Sequence, residues 1–587
     1  MEYFQFEYTT AFALRDSLLQ LKKRCAALTP ALTLVRIFAS EPDIQKVPEI
    51  GRSIDELLPD ALWLGCSSSG GLRDGAFAKN RTVIIATLFF KRVKARLMQV
   101  EYPKGQDNPG AGTAARLADA VRQSPWARAA EILVTARGAT WDFCKACAAL
   151  PRDFLVYGGG ATNEAHDIDG YVFSKEGGVS KTAAVFLILG GPDLNLEVHR
   201  IEGWTPLGRS FEVTASRNNC IMELDSHPAF EAYQRYLGIS AGDFFTINSA
   251  EFPMACYDSA GNCVFRSVRG CGPHGEIQTF SDNGGFERVR LSYGNAKVIM
   301  RAVRQSCESV SRFEPQFIFL VSCGGRRSFW GDDECSAETL PFASLAPAAG
   351  FYSGGEYLKM PGQAQLCLCN ETILAVAVRE GEKNGKARPF VMAQPQNDGP
   401  ISLEERLVNI LAVSTRELER ANRALDQMAR TDTLSGLLNR GSISAEIEKA
   451  AGENRAFTLI MFDLDYFKQV NDSCGHRTGD QVISRFSSFI MEEMLSSGCA
   501  FCAGRWGGEE FMIMCGAGAD KGRVFAEKIL ERTRNHAFNA SGKEFFVTAS
   551  AGVTAFKKGE SADQALVRVD KALYASKSAG RDRCTPA

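Results

Sequence analysis

The chain has 587 residues, which is too long for one hydrophobic core and predicts roughly three or four domain units. Its hydrophobic fraction of 45% and charged fraction of 23% are typical of globular proteins and exclude a disordered or fibrous chain. The formal net charge is −2, so the composition indicates no general attraction to nucleic acid or to membranes.

The first residues, MEYFQFEYTT, lack the basic start and apolar core of a signal peptide, and no run of about 18 apolar residues predicts a membrane span. We therefore expect a cytoplasmic protein. In that reducing compartment most of the 18 cysteines should be core residues. The CxxC pairs Cys144/Cys147 and Cys499/Cys502 lack a second pair or paired histidines at zinc spacing, which disfavours metal or redox use.

Short apolar strands alternate with helical stretches over residues 1 to 220, which predicts an α/β layer fold. The predicted strands are Leu32–Phe38, Ala61–Cys66, Thr82–Phe90 and Ala183–Leu189, and Thr113–Gln123 is a predicted helix.

Five segments in the first 360 residues carry a family resemblance: Leu64–Gly70, Val156–Ala161, Trp204–Gly208, Glu223–Ala229 and Pro347–Glu356. They resemble the FIST sensory domain, with its N-terminal part at 1–220 and its C-terminal part at 221–385. The resemblance implies a sensor of a small ligand. Some members are linked to haem and nitric oxide, but six histidines without a marked haem motif leave haem a weak option.

Glycine turns at strand ends often carry ligands in α/β folds, so residues 65–71 and 158–161 are candidate pocket walls. The alternative is that they are only tight turns. Arg269, beside Gly270, and Glu356, after two glycines, are candidates to hold the carboxylate and amine of an amino-acid-like ligand. The alternative is that these charges pair with each other or with water.

A polar segment rich in proline and glycine, residues 386–402, predicts a linker. Residues 403–430 follow as a helix, whose spacings of four and three residues predict a parallel coiled coil and hence a homodimer. Its seam consists of Leu407, Leu411, Ser414, Leu418, Ala421, Leu425 and Met428. A coiled coil with so short a seam is only marginally stable on its own, so a ligand could shift it between two states as a signalling switch. The alternative is an inert spacer.

The last third of the chain brings carboxylates to two strand ends. The apolar run Thr458–Phe462 delivers Asp463 and Asp465 on one face, and a helix is predicted at Gln481–Leu495. Residues 501–514, FCAGRWGGEEFMIM, predict a β-hairpin with Gly507 and Gly508 in the turn. Glu509 and Glu510 should then point to opposite faces.

Four further segments occur with this hairpin in a fixed order: Asp432–Arg440, Asp463–Asp480, Val547–Val553 and Asp570–Arg581. Together they resemble the GGDEF family of diguanylate cyclases over residues 431–587, with Ser435 where the family has Thr. The resemblance implies a central sheet flanked by helices, and condensation of two GTP molecules into cyclic di-GMP with release of two pyrophosphates.

The resemblance also implies roles for individual residues. Asp463, the Leu464 carbonyl and Glu509 would bind Mg²⁺ or Mn²⁺, and Glu509 or Glu510 would act as base on the 3′-hydroxyl, a choice that the sequence leaves open. Lys468, Lys577 and Arg581, which have no acidic partner at helical spacing except Asp582, would bind the triphosphate. Asn471 and Asp480 would recognise guanine. The remaining substrate-site residues are Phe467, His476, Gly507 and Gly508.

Simpler structural roles exist for several of these residues. Asp480 precedes the predicted helix and is an N-cap candidate, and His476 between two glycines is a loop-shaping candidate. Lys577 and Arg581 stand near a helix C-terminus, where cations are favoured.

One family feature is absent from the sequence. The R-x-x-D product-inhibition site would place its Arg and Asp at positions 498 and 501, which are Gly498 and Phe501 here. Product feedback at that site, and a receptor role that depends on it, are therefore not expected.

The sequence as a whole predicts an α/β and α+β multidomain protein: a FIST-type sensor, a coiled-coil helix and a GGDEF output domain. The predicted function is a dimeric diguanylate cyclase regulated by a small ligand. The alternative is a non-catalytic GTP-binding signalling or scaffold module. The sequence gives neither the ligand nor the sign of its effect.

Overall fold

The computed structural model describes residues 1–102, 110–135, 141–163, 170–240, 242, 245–259, 261–281, 284–383, 385, 388, 390, 403–497, 500–516, 518–540 and 542–587. They form two compact units, Met1–Thr415 and Arg416–Ala587. Within these ranges, no helix combines the length and hydropathy that crossing a membrane requires.

The first unit contains three repeats of one strand–helix pattern. The first repeat comprises β1 (Glu2–Tyr8), α1 (Ala11–Leu28), β2 (Leu32–Ala39), α2 (Val47–Leu57), β3 (Leu62–Ser67), β4 (Gly71–Arg73), β5 (Ala76–Ala78) and β6 (Thr82–Phe89). The second comprises β7 (Lys94–Glu101), α3 (Gly110–Arg122), β8 (Ala127–Val134), α4 (Trp141–Ala146), β9 (Leu155–Gly160), β10 (Val172–Ser174), β11 (Gly178–Ser180) and β12 (Ala183–Gly190).

The third repeat begins with β13 (Leu194–Ile201) and is then interrupted by an insertion. The insertion contains β14 (Trp204–Arg217), β15 (Cys220–Leu224), β16 (His227–Pro228), α5 (Phe230–Leu237), α6 (Phe245–Ser249), β17 (Met254–Tyr257), β18 (Cys263–Arg266), β19 (Val268–Cys271), β20 (Ile277–Thr279) and β21 (Arg288–Gly294). The repeat resumes with α7 (Ala296–Phe313), β22 (Phe317–Cys323), α8 (Gly324–Glu334), α9 (Leu340–Ala343), β23 (Ala348–Ser353), β24 (Glu356–Lys359), β25 (Cys367–Cys369) and β26 (Ile373–Glu380).

Three six-stranded sheets have equivalent strand orders, β1-β6-β2-β3-β10-β11, β7-β12-β8-β9-β24-β25 and β13-β26-β22-β23-β4-β5. Each repeat contributes four strands to one sheet and its hairpin to another, so the hairpins are exchanged in a cycle. The first unit therefore has internal pseudo-threefold organisation. The predicted division between the two FIST parts at 220/221 falls inside β15, and both parts lie in the unit Met1–Thr415.

The inner faces of the three sheets share one core. Residues Arg36, Glu131 and Phe319 occupy equivalent positions in β2, β8 and β22. The Arg36 guanidinium lies 2.7 Å from the Glu131 carboxylate and 5.0 Å from the centre of the Phe319 ring. Charged groups this deeply buried require such pairing.

The four predicted strands and the helix at 113–123 are confirmed to within three residues at each end. The predicted glycine turn at 158–161 is wrong in its first part, since Gly158 to Gly160 are the last residues of β9. A Cβ atom at Gly158 would lie 1.9 Å from the Ile132 carbonyl oxygen, so close backbone approach explains this glycine.

The helix α10 (Leu403–Arg430) spans the predicted coiled-coil residues. It leads to α11 (Arg440–Gly452), β27 (Thr458–Leu464), α12 (Phe467–Cys474), α13 (His476–Ser497), β28 (Ala500–Gly507), β29 (Glu510–Cys515), α14 (Ala519–Arg534), β30 (Phe538–Ala540), β31 (Lys543–Phe545), β32 (Ala549–Ala555), α15 (Ala562–Ser578) and β33 (Cys584–Pro586).

The second unit has a five-stranded sheet of order β28-β29-β27-β32-β33, with helices packed on both faces as the sequence predicts. Residues of α13 and α14 cover one face, and residues of α11 and α15 cover the other. The helix predicted to start at Gln481 starts at His476, so Asp480 is a residue of the helix and not its N-cap.

Candidate active site

The glutamates after the two glycines stand at different places in the hairpin. The pairing of Gly507 with Glu510 makes Gly508 and Glu509 the central turn residues, and only Gly508 of the two glycines has positive φ, at 43°. The prediction that both glycines form the turn is therefore wrong. A register shift between Arg505 and Gly507 moves the turn by one residue.

Three carboxylates lie where β27 ends and β29 begins. Asp463 pairs in register with Glu510, which puts their side chains on one face of the sheet. The Leu464 amide donates to the Glu509 carbonyl at 3.3 Å, which holds the turn beside the end of β27. The predicted metal ligands Asp463, Leu464 and Glu509 thus lie on adjoining segments.

A lysine from α15 enters this acidic cluster. The Lys577 ammonium lies 2.7 Å from the Asp463 carboxylate, a partner that spacing along the helix could not reveal. The two residues are 114 positions apart in sequence, and only the packing of α15 on the sheet brings them together.

Burial is the main cause that raises the pKa of Asp463, with Lys577 opposing it and Glu509 adding to it. Burial likewise raises the pKa of Glu510, and the nearby charge of Asp463 raises it further. Carboxylate and carbonyl oxygens are the ligands that Mg²⁺ or Mn²⁺ takes, and such ions need few protein ligands. Among the described residues no group of three or more acidic, histidine or cysteine side chains is arranged to hold a metal ion, so Asp463 and Glu509 would be its only carboxylate ligands here.

Asp465 has a structural role and is not part of this acidic cluster at the turn. Its buried carboxylate accepts hydrogen bonds from the Ser550 hydroxyl at 2.7 Å, the Thr548 hydroxyl at 2.8 Å and the Asp582 amide at 3.1 Å. These bonds join the end of β27 to β32 and to the chain after α15. The sequence did not identify Thr548 or Ser550, whose hydroxyls carry no distinctive spacing.

The other two predicted phosphate-binding cations differ in their surroundings. Arg581 stacks over the Tyr466 ring at 4.5 Å and lies 3.9 Å from Asp465, an acidic neighbour that is distant in sequence. Lys468 is exposed in the first turn of α12. Asp582, the acidic residue next to Arg581 in sequence, pairs instead with Arg534 at 3.0 Å.

The predicted guanine-binding residues meet where α12 and α13 join. A Cβ atom at Gly479 would lie 1.9 Å from the Asn471 side-chain oxygen, which places the Asn471 amide against α13 one residue before Asp480. Asp480 and His476 are exposed on α13, and His476 is its first residue. Phe467, the other residue predicted for the substrate site here, is buried in the hydrophobic core, so its side chain does not face solvent.

An arginine that the sequence analysis did not select holds the hairpin turn. The Arg505 guanidinium donates to the Gly508 carbonyl at 2.9 Å and lies 3.3 Å from both carboxylate oxygens of Asp432. Asp432 follows α10 by two residues. Arg505 thus connects the chain segment after the long helix to the acidic turn.

Comparison with known proteins identifies the domains of this chain. The family model described as "Diguanylate cyclase, GGDEF domain" matches residues 429–583, and the FIST N and FIST C models match residues 33–227 and 229–359. Residues 429–583 are a GGDEF domain. Residues 33–359 carry the two FIST domains.

Similar proteins share mainly the GGDEF domain. Diguanylate cyclase DgcP of Pseudomonas aeruginosa is 35% identical over 162 residues, which are 27% of this chain and 24% of DgcP. Diguanylate cyclase DgcS of Shewanella oneidensis is 32% identical over 27% of this chain and 53% of DgcS. The cyclic di-GMP phosphodiesterase NbdA of P. aeruginosa is 29% identical over 28% of this chain and 22% of NbdA. This chain spans about half or less of the length of these relatives.

Among solved structures, the coiled coil and GGDEF domain of DgcB from Caulobacter crescentus, in complex with c-di-GMP, is 34% identical. The match covers 32% of this chain and all of that chain, with a TM-score of 0.29. In this GGDEF domain, Gly498 and the side chain of Phe501, which replace the product-inhibition residues, lie outside the described residues.

The FIST segments proposed as pocket walls do meet. The Ser67 carbonyl accepts from the Thr162 amide at 3.2 Å, and the Gly160 carbonyl accepts from the Gly354 amide at 2.9 Å. The ends of β3, β9 and β23 therefore converge at one end of the three-sheet core.

Glu356 is completely buried at this convergence. Its Oε1 accepts from the Ser353 hydroxyl at 2.5 Å, and its Oε2 is buried without a hydrogen-bond partner among the described residues. Burial raises the pKa of Glu356 well above its ordinary value, and the charge of Glu371 adds to that effect. The guanidinium that acts on Glu356 is that of Arg326, while Arg269 is half-buried on β19.

Proposed function

We propose that this chain is a diguanylate cyclase that condenses two GTP molecules into cyclic di-GMP and two pyrophosphates. The observation that carries the proposal is the juxtaposition of Asp463 and Glu510 on neighbouring strands, with Glu509 in the adjoining turn. Lys577 supplies the cation that a triphosphate needs at the same place.

The acidic residues would hold the metal and move a proton. Asp463, the Leu464 carbonyl and Glu509 would bind Mg²⁺ or Mn²⁺, which neutralises charge that develops on the α-phosphate. Glu510, whose pKa is raised by burial, is suited to accept the 3′-hydroxyl proton. Lys577 would leave Asp463 and bind phosphate oxygens. Lys468 and Arg581 would bind the rest of the negatively charged triphosphate.

Guanine recognition is proposed for Asn471 and Asp480. The amide both donates and accepts hydrogen bonds, and the carboxylate accepts from the N1 and N2 donors that adenine lacks. The exposed position of Asp480 beside Asn471 allows both to face one base. His476 and the glycines Gly507 and Gly508 line the same substrate region.

A parallel homodimer is proposed for α10. Leu407, Leu411, Leu418, Leu425 and Met428 are each more than half exposed on this helix. A row of exposed apolar side chains at heptad spacing is buried when a second copy packs along it. The dimer would bring two GTP-loaded sites together, and since GTP is a cytoplasmic nucleotide, we place the protein there.

The FIST region is proposed to regulate this activity by binding a small ligand with an amino-acid-like ammonium group. Glu356 and Glu371 are fully buried carboxyls, and each has one oxygen without a hydrogen-bond partner among the described residues. An ammonium group satisfies such acceptors. Arg269 remains a candidate for the ligand carboxylate, and the ligand's identity and the sign of its effect are left open.

The experiment is to incubate the purified full chain with GTP and Mg²⁺ and to identify products by liquid chromatography and mass spectrometry. We expect cyclic di-GMP from GTP and no cyclic product from ATP. The alternative function, a non-catalytic GTP-binding or scaffold module, predicts GTP binding without any cyclic product.

A further inference from the structure

Two cysteines in one short strand of the FIST region lie within reach of each other. Cys367 and Cys369 are the first and last residues of β25, and their sulfur atoms are 3.5 Å apart. The strand alternation puts both side chains on one face. β25 is the edge strand of its sheet and pairs with β24.

Two arginines, Arg200 and Arg266, and one opposing carboxylate, Glu202, act on this pair. Arg266 is fully buried, and its guanidinium donates to the Leu368 carbonyl between the two cysteines at 3.0 Å. Arg200, from β13, also acts on both thiols, and its Nε is buried without a hydrogen-bond partner among the described residues. Buried guanidiniums cannot lose their proton, so they favour a thiolate nearby.

The two thiols differ in acidity. The hydrogen bond from Cys369, followed by the charges of Arg200 and Arg266, lowers the pKa of Cys367 to about 7. The same hydrogen bond raises the pKa of Cys369 well above its ordinary value. Burial instead raises the pKa of Cys147, in the CxxC pair, to about 12. Cys367 is partly exposed, whereas Cys147 is completely buried.

We propose that Cys367 and Cys369 form a redox site at which a hydroperoxide oxidises Cys367 and Cys369 resolves the product into a disulfide. The Cys367 thiolate attacks the terminal peroxide oxygen, the O–O bond breaks, and the leaving oxygen is protonated to water or an alcohol. The Cys369 sulfur then attacks the sulfenic sulfur, the S–O bond breaks, and hydroxide leaves as water with the Cys369 proton.

The geometry makes this disulfide reversible. Residues two apart in a strand have Cα atoms about 6.6 Å apart, near the upper limit for a disulfide. A bond formed there is strained and readily reduced, as in regulatory disulfides. Because Cys369 pairs with Glu356 across β24 and β25, oxidation would pull on the strand that positions Glu356.

The test treats the full chain with hydrogen peroxide, blocks free thiols with N-ethylmaleimide and analyses the tryptic peptide Met360–Arg379, which contains both cysteines. We expect this peptide to lose the mass of two hydrogen atoms and to escape alkylation, with reversal by dithiothreitol. In Cys369→Ser, Cys367 should instead be trapped by dimedone as the sulfenic acid. Cys263→Ser, which removes a thiol on neighbouring β18, should leave the bond unchanged.

The wild-type protein supplies a check that needs no variant. Its Cys367 should react with N-ethylmaleimide about 10-fold faster at neutral pH than Cys220, a partly exposed thiol with a raised pKa. The rate should rise with a midpoint near pH 7. A midpoint at 9 or above, full alkylation of the peptide after peroxide, or a Cys263–Cys367 bond would overturn the proposal.

Discussion

The Lys577 ammonium lies 2.7 Å from Asp463, the carboxylate proposed to bind the catalytic metal. The site therefore carries its own cation when no nucleotide is bound. This pairing offsets part of the repulsion among Asp463, Glu509 and Glu510. In the proposed mechanism the metal displaces Lys577 from Asp463, because both cations compete for the same carboxylate.

Replacing Lys577 with Met should have opposite effects on metal and nucleotide. Without the competing ammonium, nucleotide-free protein should bind Mn²⁺ about 10-fold more tightly, while GTP binding weakens by a similar factor. Titration calorimetry measures both affinities. Lys571→Met, an exposed lysine on the same helix, is the matched control and should change neither. Weaker Mn²⁺ binding in Lys577→Met would contradict this account.

Replacing Arg505 with Gln should misplace the acidic turn, because the Gly508 carbonyl and Asp432 lose their shared partner. We expect kcat to fall about 10-fold with a smaller change in KM, and stability to fall by about 1 kcal/mol. A double-mutant cycle with Asp432→Asn measures the coupling. If the two substitutions act through one contact, their combined effect is smaller than the product of the single effects. If the effects of the two substitutions on kcat simply multiply, Arg505 and Asp432 do not act through a shared contact, which would contradict this account.

Replacing Gly479 with Ala should damage guanine recognition. The added Cβ would lie 1.9 Å from the Asn471 side-chain oxygen, so the amide must move. We expect KM for GTP to rise about 10-fold while kcat changes less. Gly452→Ala, in the last turn of α11 with open space around its Cβ, is the matched control and should leave KM unchanged. Equal KM values for both variants would remove the proposed role of Asn471.

Glu371 should make the FIST region less stable as pH rises. Burial raises the pKa of Glu371 to about 7 from its ordinary 4.5, so the folded state holds the proton more tightly than the unfolded state. Stability from this group is full at low pH and falls between about pH 4.5 and 7, by about 3 kcal/mol in total.

Glu371→Gln keeps the shape of the protonated carboxyl, so its stability advantage over wild type should be small at pH 4.5, grow as the pH rises to about 7, and stay constant above that. Urea unfolding of both proteins across this range gives the difference. An advantage that is independent of pH would show that Glu371 ionises normally.

Several features could be read from the sequence because they depend on local patterns. Apolar runs gave the strands at 32–39 and 458–464, and the period of α10 gave its helix. The carboxylates of the GGDEF domain also follow from sequence, since β27 and the hairpin carry them at strand ends.

Other features depend on contacts between distant segments. The turn shifted by one residue because of a bulge beside Gly507, which the two adjacent glycines did not reveal. Lys577 meets Asp463 only through helix packing, and the exchange of hairpins among three sheets involves pairings hundreds of residues apart. The lowered pKa of Cys367 depends first on the hydrogen bond from Cys369 in the same strand, but also on Arg200 and Arg266 from other strands.

The most direct test of the central claim compares wild type with Glu509→Gln and Asp463→Asn in two assays on the same preparations. GTP binding is measured by calorimetry, and cyclic di-GMP formation is measured in the presence of Mg²⁺. The account predicts that both variants still bind GTP but lose at least about 100-fold in the rate of product formation. Product formed by either variant at the wild-type rate, or by none of the three proteins, would contradict it.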